Sequence, residues 1–110
     1  MADRITRYRD FWPYYLREHA DPRSRALHYL GSSLALAAVA LAVATRDTRW
    51  LIAAPVAGYG AAWFGHLALE RNRPATFRYP LWSLASDYRM LALWLTGRLP
   101  AHLARAGRDP

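Results

Sequence analysis

The chain has 110 residues, which allows one domain, and it has no cysteine. That excludes disulfide frameworks, thiolate nucleophiles, iron–sulfur clusters and cysteine-based zinc sites. All fifteen basic residues other than histidine are Arg, which reads as coding bias, and the formal charge is +7.

Hydrophobic residues make up 54% of the chain, with five Trp and seven Tyr. The aromatics sit mostly beside the apolar runs, as in membrane-interface belts. The Arg residues lie in the N-terminal segment and after the second apolar run, not along one polar helix face. That placement suits an anionic lipid surface, not nucleic acid. Residues 1–25 are charged and aromatic, with no apolar core or small-residue cleavage site, so they do not read as a signal peptide.

Residues 1–20 read as an amphipathic interfacial segment. Ile5, Tyr8, Phe11, Trp12, Tyr15 and Leu16 make a rough helical stripe, with Arg4, Arg7 and Arg17 off it. Pro13 predicts a kink or a fresh start. The segment is either a solubilising arm or a lid. Asp21-Pro22 is a helix start, with Asp as N-cap and Pro in the first turn. The helix it opens, 22–45, carries no formal charge from Ala26 to Thr45, a length near that of a bilayer span.

Residues 45–49 form a short polar turn. A second apolar run, 50–70, follows; it is interrupted by Pro55, Gly58, Gly60 and Gly65, which membrane helices tolerate. So short a turn predicts an antiparallel hairpin. These glycines would also permit close packing with a second copy, a homo-oligomer. Ala75 to Pro80 reads as loop. Residues 80–97 repeat apolar positions at helical spacing but include Asp87 and Arg89, so they predict a surface amphipathic helix. Gly97 and Pro100 end it, and 101–110 is expected to be a loose tail. The expected architecture is all-α, an integral membrane two-helix hairpin flanked by amphipathic interfacial helices in one membrane domain. Arg placement puts both termini in the cytoplasm, which implies a multi-pass protein of the cell inner membrane. Because the Ala-rich runs are only moderately hydrophobic, a soluble helical bundle is the alternative.

The chemistry concentrates at one level of this hairpin. At 1.5 Å per residue, His28 lies roughly 25 Å before the turn and His66 roughly 24 Å after it, so their heights match. His19, just before the Asp-Pro start, can fold back to that level. Glu70 follows His66 at i+4, on the same face of a regular helix. Histidine is the commonest metal ligand, and ionisable groups at the edge of a span are functional candidates. Taken singly, each has a plainer reading as an interface-level polar group, a cap or an ion-pair partner for Arg25, Arg71 or Arg73. Histidines without cysteine suit Fe(II), Zn or Mn. His102, in the expected tail, is given no role.

The stretches Glu18-His19, Pro22, Arg25 and Leu27-His28-Tyr29-Leu30-Gly31, then Tyr59 to His66, Glu70 and Asn72-Arg73-Pro74-Ala75-Thr76-Phe77, form a pair of motifs. Together with Tyr79-Pro80-Leu81-Trp82-Ser83-Leu84, Asp87 and Arg89-Met90, they resemble the family of the fungal 2-hydroxy fatty acid dioxygenase, in its small bacterial branch. The likeness covers roughly Phe11 to Leu95. The resemblance implies a membrane-embedded, Fe(II)-dependent dioxygenase of fatty acid α-oxidation that shortens a 2-hydroxy fatty acid by one carbon with O2. His19, His28 and His66 match the family's histidines. Three protein ligands on octahedral iron leave three positions, two for a chelating 2-hydroxy acid and one for O2. Glu70 then stands behind the ligands, orienting an imidazole or accepting the hydroxyl proton. Arg73 and Arg25 steady the substrate carboxylate or a lipid headgroup, with Arg73 also counted with Glu70 in the catalytic group. The alternatives are a haem-binding hairpin using His28 and His66, and a non-catalytic structural membrane protein.

Overall fold

The chain winds into five α-helices and one π-helical turn: α1 Tyr8–Arg17, α2 Pro22–Thr45, α3 Trp50–Phe64, the π turn Gly65–Glu70, α4 Pro80–Leu95 and α5 Leu99–Arg108. The structure is a computed structural model and describes residues 4–74 and 77–108. The expected loop at Ala75-Thr76 and the last two residues of the expected tail lie outside the described residues. Every regular element among the described residues is helical, as the sequence predicts. The helices group into two compact units, Asp21–Pro74 and Met1–Ala20 with Ala75–Pro110.

The Asp21–Pro74 unit is the hairpin. Asp21 caps α2 as its residue type predicts: its Oδ1 accepts from the Arg23 backbone N at 2.8 Å, with Pro22 at the first helical position. The helix stops at Arg46, which adopts the left-handed conformation with φ 56. Asp47 then accepts from the Arg49 backbone N at 3.0 Å and starts the return helix. α2 and α3 run antiparallel, since Gly65 faces Ser24 while Gly58 faces Ala35. Gly31 sets how closely they approach. A Cβ built there would stand 2.9 Å from Ala61 Cβ and 3.0 Å from Ala57 O, so no larger residue fits without moving the helices apart.

Both hairpin arms, Pro22–Thr45 and Trp50–Glu70, are long and apolar enough to cross a membrane. Their outward faces carry large apolar side chains. Val43 is 75% exposed, Ile52 and Val56 68% each.

In the other unit α1 packs against α4 and α5. The sequence stripe on α1 supplies its core: Phe11, Trp12, Tyr15 and Leu16 are buried. Phe11 sits 5.2 Å from the Tyr79 ring centre and 5.5 Å from Trp82. The Tyr8 and Ser86 hydroxyls share a hydrogen bond of 2.8 Å. Pro13 does not break α1, which runs from Tyr8 to Arg17 through it. The one hydrogen bond lost there would have reached Arg9 O, in the first helical turn.

The segment expected to be a loose tail is helix α5. Leu99, Leu103 and Ala106 recur at helical spacing, and Leu99 and Ala106 are buried. Pro100 lies in the first turn of α5, where a missing N–H costs nothing, so it opens a helix instead of following one. Arg17 Nη1 donates to Ala106 O at 3.2 Å and ties the end of α5 to α1.

Candidate metal centre

Three buried histidines come from three different local structures. His28 lies in the second turn of α2 and its Nδ1 bonds Ser24 O, one turn back, at 2.9 Å. His66 is inside the π turn and its Nδ1 bonds Asn72 Oδ1 at 2.6 Å. The Asn72 backbone N also donates to His66 O at 2.9 Å, so one residue holds His66 by ring and by backbone. His19 follows the end of α1 and its Nδ1 bonds Tyr15 O at 2.6 Å.

These partners decide the protonation. A carbonyl oxygen only accepts, so each Nδ1 must carry the hydrogen. Each neutral ring then has its lone pair on Nε2. This is the tautomer that metal-bound histidines adopt, with the second nitrogen donating to an oxygen that fixes the ring. The His28 and His66 rings meet edge to face, centroids 5.1 Å apart. The hairpin therefore brings the two to one level, as their distances from the turn predict. The ligand-capable nitrogens of His19, His28 and His66 lie within 4.8 Å of one another, and all three residues are buried. Such a cluster could hold a metal ion.

Residues 5–99 match the family model described as 2-hydroxy-palmitic acid dioxygenase Mpo1-like. The chain belongs to the Mpo1-like family. No curated protein and no solved structure gives a match. The family's name speaks of a dioxygenase and a 2-hydroxy fatty acid, and a buried histidine cluster is compatible with that chemistry.

In this Mpo1-like chain Glu70 does something other than the i, i+4 spacing suggests. Its Oε1 accepts from the Asp21 backbone N at 2.7 Å, at the mouth of α2. The carboxylate is thus engaged at the start of α2, and the shared face that the spacing gives it with His66 does not decide where its oxygen goes. Glu70 is outside the group of metal-capable side chains. Arg73 is exposed, and Arg25 is half-buried on the first turn of α2.

Two residues escape the sequence reading. Asn72 sits inside the second motif without a role. Its signal is position, just past a helix end that closes with Arg71 in the left-handed region, φ 57. Ser24 is the other. Its hydroxyl is fully buried beside Gly65 and has no hydrogen-bond partner among the described residues.

Behind His19 stands Tyr15. Its ring lies 4.1 Å from the imidazole, centroid to centroid, and its hydroxyl donates to Asp87 Oδ1. Burial pushes the Asp87 carboxyl up to about 6, with the Tyr15 hydrogen bond opposing.

Proposed function

We propose that the protein is an Fe(II)-dependent dioxygenase of 2-hydroxy fatty acids, removing one carbon in α-oxidation. The observation that carries this reading is the shared tautomer: each of three clustered, buried histidines has its Nδ1 on an oxygen. With Nδ1 of each ring held as the donor, Nε2 is the nitrogen through which each histidine would take a metal. Nitrogens bound to one ion at about 2.0–2.2 Å lie roughly 3–3.5 Å apart, so closing the cluster takes an adjustment of an ångström or so. Three ligands suit a small ion better than haem, which uses two axial ligands on opposite faces.

Iron(II) held by His19, His28 and His66 would supply the electrons that activate O2 and a chelation point for the 2-hydroxy acid. The chain's own residues do the rest. Ser24 O, Tyr15 O and Asn72 Oδ1 hold the rings in orientation. Glu70 positions the first turn of α2, the turn that carries Ser24 and leads into His28. Arg25 and Arg73 steady the substrate carboxylate at the polar end of the hairpin. The acyl chain lies along the apolar flank of α2 and α3, which span the inner membrane with both termini cytoplasmic.

The test is purification without oxygen, with metal analysis and product chromatography. One iron per chain, no Soret band, and conversion of 2-hydroxypalmitate to a fifteen-carbon product are expected. His19→Gln, His28→Gln and His66→Gln should each lose the iron. Retention of iron and turnover in all three variants would overturn the proposal.

A further inference from the structure

Away from the histidine cluster, α1, α4 and α5 line an open cleft of about 350 Å³. Trp12 and Leu16 of α1 give it an apolar wall. Arg89 of α4 and His102 and Arg105 of α5 line the rest.

The polar groups in it are arranged as donors. The Arg89 guanidinium carbon lies 4.1 Å from the Trp12 ring centre, held by cation–π attraction that leaves its N–H groups available. His102 Nδ1 accepts from Trp12 Nε1 at 3.1 Å. The neutral ring must then carry its hydrogen on Nε2, which makes His102 a donor. Arg105 adds a second guanidinium. Among the described residues neither Arg89 nor Arg105 has a carboxylate partner. The local field is positive: besides partial burial, the charges of Arg105, Arg89 and Arg98 hold His102 below the usual imidazole range.

Two cations without a carboxylate partner among the described residues, and a neutral N–H donor, around one partly apolar cleft call for an anion. Donors from two helices suit a tetrahedral group with several oxygens better than a planar carboxylate. We propose that this cleft binds a phosphate oxyanion, presented either as the headgroup of an acidic phospholipid or as free phosphate. The site stands whether or not the histidine cluster holds iron.

The experiment uses the full chain in uncharged maltoside micelles, with the His102 ring signal in NMR, assigned through His102→Gln, as the readout. One arm titrates inorganic phosphate. The other adds phosphatidylglycerol without phosphate. A saturable shift of the His102 signal is expected in at least one arm. Saturation by inorganic phosphate identifies free phosphate as a ligand, and saturation by the lipid alone identifies the headgroup. Arg105→Gln should weaken the binding about tenfold, as loss of a charge-assisted hydrogen bond does. Arg105→Lys should retain most of it. Arg98→Gln removes the same charge from outside the cleft lining and should change affinity less than about twofold, as screened exposed charges do. No shift in either arm overturns the proposal. So does an Arg98→Gln loss equal to that of Arg105→Gln, which would mean diffuse attraction without a site.

Discussion

Gly31→Ala is the sharpest perturbation of the hairpin. The added Cβ would meet Ala61 Cβ at 2.9 Å, Ala57 O at 3.0 Å and Gly58 O at 3.1 Å. Two of these three are backbone atoms, which have no rotamer to change. Overpacking of this kind costs about 1–3 kcal/mol. Alanine's better helix propensity returns up to about 1 kcal/mol. The net expectation is a loss of about 1–2 kcal/mol, or about 4–8 °C in Tm for each kcal/mol in a chain near this size. The damage should also reach the metal centre. Gly31 is one turn from His28, so wedging α3 outward separates the His28 and His66 rings, now 5.1 Å apart by centroid. Thermal unfolding in detergent and iron content of the anaerobic protein are the two assays. Ala61→Gly on top of Gly31→Ala removes the nearest contact and should recover part of both losses. An unchanged or higher Tm for Gly31→Ala would refute the close-approach argument.

Four further outcomes follow from the site. Asn72→Ala removes the acceptor from His66 Nδ1 and should lower metal affinity by about 10–100-fold, while Asn72→Asp keeps it, both read by metal competition titration. Glu70→Ala leaves the Asp21 N–H without its partner and should cost about 1 kcal/mol of thermal stability while iron is retained; loss of iron at full stability would instead make Glu70 a ligand. Ser24→Ala removes a buried hydroxyl with no partner among the described residues and should stabilise the fold by about 1 kcal/mol in a denaturation series. Asp87 is raised to about 6 in the fold, so the unfolded chain releases its proton first. Its stability contribution is complete below the unfolded pKa near 4 and is lost as pH rises through about 6, and Asp87→Asn should flatten that slope in a Tm-against-pH series.

The hairpin is legible in the sequence because its signals are local or additive. Asp21-Pro22 opens a helix by residue type alone, and two uncharged runs around a short turn leave one arrangement. The matched heights of His28 and His66 need only residue counts. The misses have a common cause, since each depends on a neighbour distant in sequence or on irregular winding. The stripe of α5 is short and has proline in its first turn, so it reads as a tail until α5 is seen packed on α1 and α4 with Leu99 and Ala106 buried. The pairing of His102 with Trp12 spans nearly the whole chain. The role expected of Glu70 rests on spacing alone, and its carboxylate is taken up by the Asp21 N–H at the start of α2. Asn72 lacks a role for the same reason, since its reach to His66 depends on how the turn ends.

The π turn at Gly65–Glu70 also carries an arithmetic of chain length. It wraps one residue more per cycle than the helix before it. Excising the exposed Ala68 would let regular i to i+4 bonding continue out of α3. One cycle would then hold one residue fewer, so the residues after the excision would keep their direction about the helix axis. Glu70 would still point toward the Asp21 N–H and Asn72 toward the His66 ring, across a narrower turn. A chain one residue shorter would make the better helix without turning the acceptor away from its histidine, so what the surplus residue adds beside the centre is width, not direction.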